Sequence, residues 1–253
     1  MTLYGEAFHR GRHEKTERSA RTILNIVKGI VPSIASVVDV GCGVGTWLHV
    51  SKEFGATEIQ GFEVPGVDTI GLQVPREAVL ECDLNKPFTT GRRYDLAIAL
   101  EVAEHLRQDS ARTFVSSITR LSDFVLFSAA IPSQGGVGHL NEQWPPYWIE
   151  LFAEQGFIGV DVVRKRIWDD ESIPFWYRQN ILLFVRRDRA EELNIPNLDD
   201  AIPGELYLLT FRRAIEPSVR LSLRQLLGAV ERRLKVALHS HPAVKSLPSK
   251  KSA

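Results

Sequence analysis

Long apolar runs are missing from this 253-residue chain. None approaches the ~20 residues that a helical bilayer span requires. The polar, charged stretch from Thr2 to Arg21 also lacks the apolar core of a secretory signal. Cysteine is scarce. Cys42 and Cys82 have no metal-ligand spacing and no partners for a disulfide framework, so the expected setting is reducing and cytoplasmic. Net charge is absent too, with 31 Lys+Arg against 31 Asp+Glu. That balance hides an asymmetry. From Phe211 to Ala253 there are ten Lys/Arg against two Asp/Glu, which leaves the rest of the chain acidic. Base-stacking aromatics are not interleaved with the basic residues, which disfavours a nucleic-acid partner.

What is present is alternation. β-rich apolar runs recur at 36–40, 58–62, 78–82, 94–100, 123–129, 157–163 and 181–186. Helical stretches are expected at 14–30, 46–54, 101–107, 109–121 and 145–155, with a weak one near 70–76. Near-continuous apolar strands such as Leu96–Leu100 suit a parallel sheet covered on both faces. The segment from Arg164 to Asn180 has no obvious helix, which predicts an antiparallel hairpin closing the sheet edge. The fold class expected is α/β: a Rossmann-like, seven-stranded, mostly parallel sheet with helices on both faces. The expected divisions are an N-terminal helical segment or lid at 1–34, a cofactor-binding domain at 35–188, a C-terminal helical extension at 189–245 and a disordered tail at 246–253.

The most informative stretch is Val37-Val-Asp-Val-Gly-Cys-Gly-Val-Gly-Thr-Trp-Leu48. A strand, a glycine turn and a helix in that order make a cofactor cradle. Glycine lets backbone N–H groups approach a ligand, and the helix N-terminus carries partial positive charge. The glycines stand at 41, 43 and 45, one residue short of the dinucleotide fingerprint, and no lysine follows to make a P-loop. Glu63 lies 20 residues beyond Gly43, where a carboxylate can accept two ribose hydroxyl hydrogen bonds. Asp83 ends the third strand run.

With Asp39 ahead of Gly41, the turn resembles motif I of class I S-adenosylmethionine (SAM)-dependent methyltransferases, D-x-G-x-G-x-G. The resemblance implies that Asp39, Gly41, Cys42, Gly43 and Gly45 line the methionine and ribose of SAM. It implies that Glu63 holds the ribose, and that Asp83 and Leu84 meet the adenine. Three acids at three consecutive strand ends also suit a cationic cofactor.

The fourth strand runs into Glu101-Val-Ala-Glu104-His105. On a helix these three side chains would share one side. The segment resembles the E-x-x-E-H of several methyltransferases, two subgroups of which use it as a metal site. In the RNA subgroup a histidine after the fifth strand completes the set, and His139 falls there. The resemblance implies a divalent ion (Mg, Mn or Zn) on Glu101, Glu104, His105 and His139. It also implies Glu101 at the cofactor, and His105, His139 and Glu104 as catalytic groups. The alternative is helix capping or a metal-free general base.

The segment after His139 offers polar and flat groups, Asn141, Glu142, Gln143 and Trp144, on a loop that lines the ligand crevice of such a sheet. With Arg178 from the second loop, they are the expected substrate residues. Trp144 and Trp148, four apart, also suit packing of helix 145–155 on the sheet. The stretch from about residue 37 to Arg187, with its segments 138–148 and 176–187, resembles a bacterial methyltransferase-domain family that often accompanies polysaccharide or glycoside biosynthesis. The implied activity is O-methylation of a sugar, glycan or other polar small molecule. Alternatives are RNA 3′-terminal 2′-O-methylation, N-methylation of an amino sugar, and a non-catalytic partner protein. Finally, 217–238 reads as an amphipathic basic helix, suited to docking on the domain, to a homodimer seam or to the inner-membrane surface.

Overall fold

Short, near-continuous apolar runs build a seven-stranded sheet in the order β3-β2-β1-β4-β5-β7-β6. The computed structural model describes residues 6–65 and 71–195, with side chains from residue 14 onward. The strands are β1 (Ser36–Val40), β2 (Glu58–Glu63), β3 (Val79–Glu81), β4 (Leu96–Leu100), β5 (Phe124–Ser128), β6 (Phe157–Val160) and β7 (Leu182–Arg186). The helices are α1 (Glu6–Lys28), α2 (Thr46–Glu53), α3 (Ala111–Leu121), α4 (Pro145–Glu154), α5 (Arg164–Ile167), α6 (Phe175–Asn180) and α7 (Arg187–Glu192). β1 to β5 pair in parallel, whereas β7 runs antiparallel to both β5 and β6. The expected α/β class and terminal antiparallel hairpin are therefore present.

Alternation along each strand sends side chains to opposite faces. Val37, Leu96, Ile98 and Leu183 join α1 and α2 on one face, with Ile23, Leu24, Val27 and Leu48. Val38, Ala97, Ala99 and Phe184 join α3 and α4 on the other, with Phe114, Ile118 and Phe152. There Phe152 and Phe184 stack at 3.8 Å. Each such buried phenyl ring contributes about 1.5–3 kcal/mol.

Three local expectations change. Residues 101–107 are not an α-helix; they give way to single 3-10 turns at Ala103–His105 and Gln108–Ser110. The reason is Glu101, whose φ of 55° cannot start a right-handed helix. The connection expected to be helix-free holds α5 and α6. A buried bidentate pair fixes it: Arg164 donates to Asp161 at 2.9 and 2.6 Å, and to the Gln179 carbonyl at 3.2 Å. Near 70–76 the described residues hold only a turn at Arg76–Ala78.

Among the described residues no helix is long and apolar enough to cross a membrane. The expected helix at 217–238, the lid around Tyr4 and the tail from Ser246 lie outside the described residues, or outside the described side chains.

Gly61, in β2, sits directly under the glycine turn. A Cβ there would come within 2.6 Å of the Cys42 sulfur and 3.3 Å of Leu48. Gly61→Ala is expected to cost about 1–3 kcal/mol by overpacking. Chemical denaturation reads this directly. Adding Cys42→Ala should recover part of the loss, and strict additivity would show that the contact is not the cause.

Candidate active site

The site lies along the C-terminal ends of β1, β2, β4 and β5, where an open parallel sheet leaves a crevice. Gly41, Gly43 and Gly45 have φ of 79°, 55° and 80°, a region that suits glycine. A Cβ at Gly41 would lie 2.4 Å from Val102, and one at Gly45 would lie 2.6 Å from Val74. At Gly43 it would meet nothing within 4 Å, so the turn opens there. Glu63 reaches this opening and accepts hydrogen bonds from the N–H groups of Gly43 (2.6 Å) and Val64 (2.8 Å).

Asp39 is buried beneath the turn, and its Oδ2 has no hydrogen-bond partner. Burial first, and the neighbouring Glu63 second, push its pKa up to about 8. The Cys42 thiol is also pushed up, by burial and then by Asp39 and Glu63, which makes it unreactive.

Asp83 stands at the end of β3 as expected, but its carboxylate is exposed and caps its own turn. It accepts from the Asn85 N–H at 3.0 Å and pairs with Lys86 at 3.2 Å. Those bonds, the Asn85 N–H foremost, lower its pKa. Leu84 beside it is buried.

Four groups expected to act together are divided in two. Glu104, His105 and His139 place ligand atoms within 4.8 Å of one another. The two imidazoles meet edge to face at 4.9 Å. Glu104 is 1% exposed, and neither of its carboxylate oxygens has a hydrogen-bond partner. Burial, then the charge of Glu101, push it up to about 8. His105 Nδ1 lies 3.3 Å from the Gly138 carbonyl, which accepts only from an N–H, so Nδ1 carries a proton.

Glu101 stands next to Glu104, to whose pKa shift it contributes, but outside this group of three. Its carboxylate accepts from Gln134 Nε2 at 3.0 Å and Asn180 Nδ2 at 3.2 Å. Asn180 also donates to Gln134 at 2.9 Å. This amide network was missed in the sequence. Gln134 and Asn180 are 46 residues apart, and no local spacing joins them. Burial nevertheless raises the Glu101 pKa, against the opposing bonds from Asn180, Ser128 and Gln134. Gln73 was missed as well. Its N–H holds the Val44 carbonyl at 2.8 Å, and its buried Oε1 has no partner.

The expected substrate residues also divide. Asn141 is buried, accepts from Gln143 at 2.9 Å, and leaves its Nδ2 without a partner. Trp144 is 37% exposed at the start of α4, while Trp148 is buried against Phe127 at 5.2 Å. Trp148 does the packing expected of the pair. Glu142 is engaged by its own loop. Its carboxylate accepts from the Ser133 and Gly135 N–H groups and holds His139. Arg178 donates to the Trp168 carbonyl at 2.9 Å rather than to the cluster.

A family model described as a methyltransferase domain matches residues 11–160. The chain belongs to this family. Its methyltransferase domain is of the SAM-dependent class, as the glycine turn and the strand-end acids implied. A dTDP-3-amino-3,4,6-trideoxy-alpha-D-glucopyranose N,N-dimethyltransferase of Streptomyces venezuelae is 27% identical over 164 residues, covering 63% of this chain. The match spans 62% of that relative, less than two thirds of its length. Among solved structures, Streptomyces venezuelae DesVI superposes with a TM-score of 0.54 at 14% identity, covering 71% of this chain and 95% of its own. A SAM-bound amino pentose methyltransferase of Micromonospora echinaspora gives 0.54 at 15%, covering 74% and 99%. At these identities the two structures establish the fold.

Proposed function

We propose that this methyltransferase domain moves the methyl group of SAM to a hydroxyl of a sugar-type small molecule. The observation that carries the reading is the cluster of Glu104, His105 and His139, a buried unpartnered carboxylate against two imidazoles. A hydroxyl is a poor nucleophile until its proton is taken or polarised, and such a cluster supplies that. In-line methyl transfer otherwise depends on holding nucleophile, methyl and sulfur in register. In this reading the glycine turn and Asp39 hold the methionine end of SAM, Glu63 the ribose, and Asp83 and Leu84 flank the adenine. A cavity of about 560 Å³ lined by Arg107, Gln108, Asp109 and Tyr147 lies within the usual size range of ligand pockets. Its donors, acceptors and one flat ring suit a polyhydroxylated acceptor. The catalytic unit is taken as 35–188, with 1–34 as an N-terminal helical segment.

The same three groups have the chemistry to hold a divalent cation, because a carboxylate and two imidazoles each offer a ligand atom within 4.8 Å of the others. When bound, such an ion would lower the pKa of a coordinated hydroxyl. Glu101, held by two amides, stands outside that set. Titration of the EDTA-treated protein with Mn²⁺ or Zn²⁺ by calorimetry is expected to show one site that Glu104→Ala removes. Equal binding by the variant would assign the metal elsewhere.

A second reading, N-methylation of an amino sugar, is favoured by the Streptomyces venezuelae relative. An uncharged amine needs no strong base. Incubation with isotopically labelled SAM and paired hydroxyl- and amino-sugar acceptors separates the readings. Label transferred only to amines, unaffected by EDTA, would replace the first with the second.

A further inference from the structure

We propose that Glu142 is a positioning residue that fixes His139 as its Nδ1–H tautomer, so that Nε2 is the nitrogen presented to the acceptor. The inference rests on the assignment of His139 to the reaction made above. Glu142 Oε1 lies 2.8 Å from His139 Nδ1 and also accepts from the Gly135 N–H at 3.0 Å. Glu142 Oε2 accepts from the Ser133 N–H at 2.8 Å. A carboxylate only accepts, so the ring nitrogen facing it must carry the proton. Three donors thus seat the carboxylate firmly.

The loop is shaped around this ring. Ser133 has φ of 71° and Gly135 of 75°, which turns both N–H groups onto one carboxylate. A Cβ on Gly136 would lie 2.1 Å from His139 Nε2, so a side chain at that position would cover the nitrogen that Glu142 does not hold. Glu142 holds Nδ1, and Nε2 is the ring nitrogen left to react. Orienting a functional imidazole through its second nitrogen is a general device. Losing the orienting carboxylate typically costs about 10–100-fold in activity or metal affinity.

The test is a long-range ¹⁵N–¹H correlation spectrum of the full chain, free of added metal, at a pH where the ring is neutral. His139 is assigned by its loss in His139→Gln. Wild-type His139 is expected in the Nδ1–H form. Glu142→Ala should move it to the Nε2–H form that an unrestrained histidine side chain prefers. In the same variant kcat should fall about 10–100-fold while the KM for SAM stays unchanged. Glu142→Gln keeps the volume and one acceptor oxygen, and should fall between the two on both readouts. A wild-type Nε2–H form, or an Nδ1–H form that neither substitution disturbs, overturns the proposal. A tautomer shift without loss of kcat upholds it and instead refutes the role of His139 in the reaction.

Discussion

Asp39→Asn is expected to make the ligand-free protein more stable at pH 8 while abolishing measurable binding of SAM. Asp39 is buried with one oxygen unpartnered, and its pKa is pushed up to about 8. The unfolded chain releases that proton near pH 4. Between these values the folded state binds more protons than the unfolded state, so stability falls as pH rises through the window. Each pH unit costs up to about 1.4 kcal/mol, and the full penalty, on the order of 5 kcal/mol, is reached above pH 8. Asn removes the ionisation and the proximity of like charge to Glu63. Thermal melts from pH 5 to pH 8 should fall steeply for wild type and less steeply for the variant.

Binding should show the opposite face of the same arrangement. A cationic ligand stabilises the ionised carboxylate, so SAM binding near pH 7 is expected to release a proton from wild type. Calorimetry in two buffers of different ionisation enthalpy measures that release. Proton release unchanged in Asp39→Asn would remove Asp39 from the cofactor site.

The second large effect is expected at Glu104. Glu104→Gln and His139→Ala should each lower kcat by about 10²–10⁴-fold, the usual contribution of a positioned acid or base. Affinity for S-adenosylhomocysteine should be unchanged. Glu104 is 1% exposed, lacks donors to either oxygen, and has a pKa pushed up to about 8, chiefly by burial. By the same sign as for Asp39, it destabilises the ligand-free fold as pH rises from about 4 to 8. Glu104→Gln should therefore raise the melting temperature above pH 7 even as activity is lost. A variant that loses both stability and activity would point to a packing role instead. Buried acids that strain the fold in this way cluster at functional sites, because their compensating partner arrives with the ligand.

Gly41→Ala is expected to have a smaller effect. Its φ of 79° and the 2.4 Å approach of a Cβ to Val102 should cost about 1–3 kcal/mol of stability. Gly43→Ala keeps the unfavourable φ but clashes with nothing, so it should destabilise less while still narrowing the opening of the turn. Denaturant midpoints of the two variants compare them directly.

The sheet, the glycine turn and the placement of Asp39, Glu63 and Asp83 near strand ends were legible in the residues alone. These depend on interactions a few residues long: near-continuous apolar runs buried as strands, φ freedom at glycine, and strands ending where apolar runs end. The sequence also brought His105 and His139 into one neighbourhood, because both follow adjacent parallel strands, β4 and β5. Tertiary structure alone decided how those residues are used. Glu101 looked equivalent to Glu104 at helical spacing, but a positive φ removed the helix and two amides claimed its carboxylate. Glu142 looked like a substrate contact until the loop closed two backbone N–H groups and a histidine onto it. Burial and hydrogen-bond partners are properties of the closed chain, and they decide which acid is satisfied and which is left to act.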